Sequence, residues 1–347
     1  MSCLPEVPFS FAAPEDLTPR RAEAVLAGPD TLFFHARGKL AASLAAGKFK
    51  LLAAFAAHAA GAGWRVRILQ YTATSRAMVE AGGHLHVLME DHPLFAPNCF
   101  HAVPSYLRGY WYFDEVASRN NSSHRLRTFD PRPMSDAFAK GFQARLLDQF
   151  AGQNLSKFSQ ADRGGDAIAP GSVAFFAQDF LPPRFHKHYM TVPQMIDTGL
   201  AARGQRAFYI KPHPNQTEAE LATLKAYHRP EAGVFVTNAS IHDLLEACDL
   251  VLTLTSAVGF EGFLHGKPLV LGGQTDFAQN AVTLTDPARM AEAMAEALAR
   301  DWPHAKFLVW YLKQNCLEDS PRALPALLQR VHAKGYAFAD VAGRGFY

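Results

Sequence analysis

Three segments of this 347-residue chain place polar side chains where an apolar run stops. The first is Lys211-Pro-His213-Pro214, directly after Ala207-Phe-Tyr-Ile210. Two prolines stiffen that loop and remove backbone donors. A cation and an imidazole held at a strand tip suit a phosphate; the competing reading is a rigid surface turn with both side chains solvated. The second is Thr255-Ser256-Ala-Val-Gly259-Phe-Glu261, which follows Leu250-Val-Leu-Thr-Leu254 and opens a helix. Hydroxyls beside a helix start, with its unpaired N–H groups, can hold an anion. Gly259 permits close backbone approach, and Glu261 sits in the first helical turn. A Ser256 N-cap accounts for that serine without any ligand. The third, Phe175-Phe-Ala-Gln178, offers a carboxamide that reads a base edge, donates to a phosphate, or simply closes a strand-end turn.

A metal site is the other chemistry to weigh. His84 and His86 alternate on one strand face, Glu90-Asp91-His92 follows, and His186 and His188 repeat the spacing without a carboxylate partner. Such donors suit a transition metal. With 15 histidines in the chain, however, chance pairs are common, and the expectation is no metal. No GxSxG, P-loop or HExxH string occurs, so hydrolase and kinase readings lack support.

These loops need parallel strands to carry them. Thr31–His35 and Trp64–Leu69 read as strands around a long Ala/Leu helix that stops at Gly61-Ala-Gly63. That is a β-α-β start with a right-handed crossover. Strands are further expected at 84–89 and 110–113, and a helix at 138–150. The stretch between Gly152 and Gly171 turns polar and glycine-rich and reads as a connection between domains. A second α/β unit follows, with strands at 172–177, 207–210, 233–237, 250–254 and 267–271, closed by helices at 287–300, 305–315 and 325–334. The fold class expected is α/β: two Rossmann-like domains facing a cleft, residues 1–160 and 161–347, the last helices packing back on the first.

Composition narrows the functions. Lys and Arg number 34 against 32 Asp and Glu, a net charge of +2, so binding nucleic acid through bulk charge is disfavoured. The 49% apolar content supplies a large core. Four scattered cysteines (Cys3, Cys99, Cys248, Cys316) make no CxxC and point to a reducing compartment. The amino-terminal stretch lacks a basic segment followed by a long apolar one, a poor secretory signal. The apolar run 51–64 is too short to span a bilayer. A cytoplasmic location is expected.

Together, Gln178, Lys211-Pro-His213-Pro214, and Ser256-x-x-Gly259-Phe-Glu261 with Gly266-Lys-Pro268 and Gly272 resemble the capsule polysaccharide biosynthesis family, whose members include retaining Kdo transferases using CMP-Kdo. The resemblance spans about 173–277. It implies a GT-B-like arrangement, with the nucleotide sugar held by the second domain and no cofactor beyond that substrate. Carried over, Lys211 and His213 meet the nucleotide phosphates, Ser256 and the N–H groups before Glu261 complete the anion site, and Glu261 bonds a ribose or sugar hydroxyl. In the first half the family's acidic pair has its counterpart in Asp114-Glu115, but the Gly-Phe that follows in the family is missing. Retention needs a carboxylate opposite the leaving phosphate, and Asp114 or Glu115 is expected to supply it. Arg37 and Lys39, in the first strand-to-helix loop, are the expected acceptor-side contacts. The resemblance further implies a glycolipid or polysaccharide acceptor, with peripheral association at the inner membrane or with capsule assembly proteins. A nucleotide-sugar 2-epimerase, and a non-catalytic polysaccharide-binding or export subunit, are the alternatives.

Overall fold

A computed structural model describes residues 10–12, 31–180 and 188–336 of the chain. His186 lies outside them. The chain divides into two units. The first comprises 1–105, 109–123 and 312–347; the second comprises 106–108 and 124–311.

In the first unit five parallel strands, β1 (Ser10–Ala12), β2 (Thr31–Ala36), β3 (Arg65–Gln70), β4 (Leu85–Leu88) and β5 (Cys99–His101), form a sheet ordered β1-β3-β2-β4-β5. Every residue of β2 is buried, as a central parallel strand covered on both faces must be. Phe34, Ile68 and Val87 pack with Leu52, Phe55 and Ala56 of the helix Lys50–Gly61. Each such large side chain contributes roughly 1.5–3 kcal/mol. The single helix expected after β2 is two, Gly38–Ala45 and Lys50–Gly61, bent by 58°. Gly47 takes φ +64 at the break, a conformation a glycine adopts without strain. Among the described residues no single helix is long and apolar enough to cross a membrane.

The strand expected at 110–113 is shorter and lies outside this sheet. β6 (Tyr110–Trp111) pairs antiparallel with β13 (Leu317–Glu318). The helix Leu324–Ala333 belongs to this unit and packs on Lys50–Gly61.

The second unit carries a six-stranded parallel sheet ordered β12-β11-β10-β7-β8-β9. Its strands are β7 (Ser172–Phe176), β8 (Phe208–Lys211), β9 (Val234–Val236), β10 (Cys248–Thr253), β11 (Leu269–Leu271) and β12 (Val282–Thr283). Phe175, Ile210, Leu252 and Val270 meet Met195, Ile196, Met294 and Ala297 from the helices Val192–Ala202 and Met290–Ala299.

The structure places the division earlier than the expected 160/161 boundary. The polar stretch 152–171 is stapled within the second unit rather than acting as a linker. Ser240 Oγ donates to Asn154 Oδ1 at 2.7 Å, Ser156 Oγ to Glu261 Oε1 at 2.9 Å, and Arg163 pairs with Asp243 and Glu246. The helix Asp136–Phe150 joins the same unit, its Gln143 donating to the Phe263 carbonyl at 2.7 Å. Composition made the stretch look solvated because its partners lie about 80 to 105 residues away in sequence.

Candidate functional site

The second unit's chain runs from β7 outward through β8 and β9, then returns to β10 on the other side of β7. Ligands of such sheets lie beyond the carboxyl ends of the strands, near that reversal. The three predicted segments all emerge there. Gln178, after β7, accepts the Thr255 N–H at 2.6 Å. Thr255, after β10, meets His188 Nε2 through its hydroxyl at 3.0 Å. Gln216 ties the Lys211–Pro214 loop in: its Oε1 accepts the His213 N–H at 2.9 Å and its Nε2 donates to the Gln178 carbonyl at 3.3 Å. Gln178, His213, His188 and Asp179 together line a recess of about 100 Å³.

A larger pocket, about 790 Å³, opens beyond β8 and β9. Its lining includes Lys211, His213, Lys225 and His228, with Thr237 and Asn238 beside them, and no lining residue is acidic. Its size is that of a small-molecule site, and its charge suits an anion.

Two lining groups have settled states. His213 Nδ1 accepts the Asn215 N–H at 3.2 Å, so the neutral ring carries its proton on Nε2, a donor. Burial lowers the His213 pKa, against the opposing pull of Asp179. Lys211 Nζ donates to the Asn238 and Ala239 carbonyls at 3.2 and 2.6 Å. Burial lowers its pKa too, opposed by Asp166, and one of its three N–H bonds remains for a ligand.

The structure gives the other half of the predicted anion site partners within the unit itself. Ser256 is buried and its Oγ accepts the Val258 N–H at 3.3 Å, so it caps the six-residue helix Ala257–Gly262. Gly259 is there for packing: a Cβ at this position would stand 3.1 Å from Leu269 and 3.2 Å from Thr253. Glu261 faces inward and is 1% exposed, accepting from Ser156 Oγ at 2.9 Å, while Oε2 is buried without a hydrogen-bond partner. Burial pushes its pKa up to about 8. It presents no carboxylate to a ribose at the surface.

In the first unit, Asp114 is turned into its own loop. It is 2% exposed, and its carboxylate accepts the N–H groups of Val116, Ala117 and Ser123 and the Ser123 hydroxyl, all at 2.6–3.1 Å. A carboxylate so occupied organises the 115–123 loop. Glu115 is half-buried and lies in the field of Lys334. Arg37 pairs with Glu90 at 3.3 Å and lies 4.7 Å from the Tyr71 ring centroid, and Lys39 is exposed.

The histidine pair expected as a weak metal candidate is structural. His84 Nδ1 accepts the Thr31 N–H at 3.2 Å, and His86 Nδ1 lies 2.9 Å from His35 Nε2. Among the described residues no group of three or more His, Cys, Asp or Glu side chains is placed to hold a metal ion.

Sequence reasoning missed Gln216, Lys225, His228 and Asn238. His228 Nδ1 accepts the Val236 N–H at 3.0 Å, which leaves a donor on Nε2. The available signal was position: both His228 and Asn238 flank the short strand β9.

Residues 184–311 match the family model described as capsule polysaccharide biosynthesis protein. No curated protein matches the sequence. Among solved structures the chain is similar to "Thermosulfurimonas dismutans KpsC, beta Kdo 2,7 transferase", with a TM-score of 0.50 at 11% identity, covering 88% of this chain and 100% of that one. It is also similar to "Thermosulfurimonas dismutans KpsC, beta Kdo 2,4 transferase" (TM-score 0.47, 15% identity, 86% and 97% covered). A third is Anabaena Alr3699/HepE in complex with UDP and glucose (TM-score 0.33, 16% identity, 94% and 75% covered). At these identities the first likeness is one of fold. It agrees with the α/β, GT-B-like class expected from the sequence.

Proposed function

Because residues 184–311 match the capsule polysaccharide biosynthesis family, we propose that this chain is a glycosyltransferase of capsule or surface polysaccharide assembly. It takes Kdo or a related sugar from a CMP-activated donor. The observation that carries the reading is the pocket of about 790 Å³ lined by Lys211, His213, Lys225 and His228, without a carboxylate, at the carboxyl edge of a parallel sheet within the matched segment. There His213 Nε2–H and the remaining Lys211 N–H donate to the nucleotide phosphates, and the charge-assisted bonds hold the leaving group as its negative charge grows. No cofactor beyond the nucleotide sugar is needed. A glycolipid or polysaccharide acceptor places the reaction at the inner face of the inner membrane, with peripheral association there or with capsule assembly proteins.

The test is calorimetric titration with CMP and with UDP, followed by mass-spectrometric detection of transfer from CMP-Kdo to a Kdo-terminated glycolipid. CMP binding with transfer supports the reading, and retention at the anomeric carbon, the course the resemblance implies, is read from the product by NMR. Tight UDP binding with inversion at sugar C2 replaces it with an epimerase. One observation favours a non-catalytic polysaccharide-binding subunit: the Asp114 carboxylate is already consumed by its own loop. That second reading predicts glycan binding with no transfer.

A further inference from the structure

With Asp114 committed to its loop, the first unit needs another carboxylate, and its sheet indicates where to look. The chain leaves β2 for β3 on one side and then places β4 on the other side of β2. Ligands of open parallel sheets bind beyond the carboxyl ends of the strands at such a reversal, here β2 and β4. Arg37 follows β2 directly, Tyr71 follows β3, and Glu90 comes two residues after β4. Arg37 Nε lies 3.3 Å from Glu90 Oε2, and its guanidinium sits over the Tyr71 ring. Glu90 Oε1 accepts the Asp91 N–H at 2.9 Å. Asp91 in turn is held by the Ser118 hydroxyl and by Arg119 at 2.5 Å. Both Glu90 oxygens are thus oriented, and the carboxylate keeps 19% of its side-chain surface open beside an Arg37 that is 56% exposed.

We propose that Glu90 is the proton acceptor for the attacking hydroxyl of a saccharide acceptor, with Arg37 its positioning residue; this rests on the transferase reading above. In the step, the acceptor O–H bond breaks and its proton passes to a Glu90 carboxylate oxygen. The hydroxyl oxygen bonds to the anomeric carbon as the bond from that carbon to its leaving oxygen breaks, the leaving group taking the electron pair. If the sugar is first passed to an enzyme carboxylate, the same proton must be removed in the second displacement, so the assignment holds for either stereochemical course. Asp114 contributes indirectly, because the loop it organises delivers Ser118 and Arg119 to Asp91.

The experiment uses the full chain, CMP as binding probe, and CMP-Kdo with a Kdo-terminated glycolipid for turnover. Glu90→Gln is expected to lower kcat by about 10²–10⁴-fold and to leave the CMP dissociation constant unchanged. Glu90→Asp keeps the charge and recovers part of the rate. Arg37→Gln, which removes the cation beside Glu90, is expected to lower kcat with the CMP dissociation constant unchanged, and Arg37→Lys to recover part of the rate. Wild-type turnover in Glu90→Gln overturns the assignment and leaves the nucleotide reading standing. A wild-type protein that binds neither CMP nor UDP overturns the transferase reading and this assignment with it.

Discussion

Glu261 offers the most direct test of how the second unit is built. In the unfolded chain its carboxyl releases a proton near pH 4.5, whereas in the folded protein burial holds the proton until about pH 8. Between those values the folded state binds more protons than the unfolded one, so folding stability contributed by this group is complete below pH 4.5 and is lost as pH rises through 8. At about 1.4 kcal/mol per tenfold change in protonation, the full rise from 4.5 to about 8 corresponds to roughly 5 kcal/mol. Water entry and relaxation around the Ser156 contact reduce the observable part to roughly 2–4 kcal/mol. Glu261→Gln keeps the shape and the acceptor for Ser156 and removes the titration. Thermal unfolding of both proteins from pH 5 to pH 8.5 is the assay. The variant's midpoint should gain on the wild type by roughly 5–15 °C across that range, at about 2–4 °C per kcal/mol for a unit of this size. Curves that stay parallel from pH 5 to 8.5 would refute the buried, protonated Glu261 and with it its inward orientation.

Three further outcomes follow from the same geometry. His213→Ala should weaken CMP binding by roughly 1–3 kcal/mol, the scale of a charge-assisted bond. Because burial depresses the His213 pKa in the free protein and a bound phosphate favours the imidazolium, wild-type affinity should rise as pH falls from 8 to 5.5; calorimetry across that range checks whether the slope disappears in the variant. Gly259→Ala drives a methyl to 3.1 Å from Leu269 and should cost roughly 1–3 kcal/mol of stability by overpacking, with CMP affinity retained by the folded fraction in a denaturant titration. His35 has its pKa pushed down to about 3 by burial, so the first unit should lose stability as pH falls below 6.5, where the unfolded imidazole takes a proton. The double variant His35→Leu, His86→Leu removes both bonded partners at once and should flatten that acid loss in a pH series of unfolding midpoints.

The sequence by itself determined most strands of the two sheets, though not the break at Gly47 or the pairing of Tyr110–Trp111. Apolar runs such as that at 250–254 lie in buried strands, and Pro212 and Gly272 follow β8 and β11 directly. The polar tips at Gln178, Lys211 and His213 fall at the carboxyl edge of the sheet, because parallel strands leave their following loops on one side. Tertiary structure decided which way side chains face. Asp114, Ser256 and Glu261 have the residue types of a reactive site, yet each turns toward backbone N–H groups or a buried hydroxyl. A carboxylate or hydroxyl removed from water must find such a partner, and residue type carries no record of which one. The division of the chain was equally hidden. Polar residues between 152 and 171 look like linker until Asn154, Ser156 and Arg163 meet Ser240, Glu261 and Asp243, contacts that exist only once distant segments are brought together by the folded core.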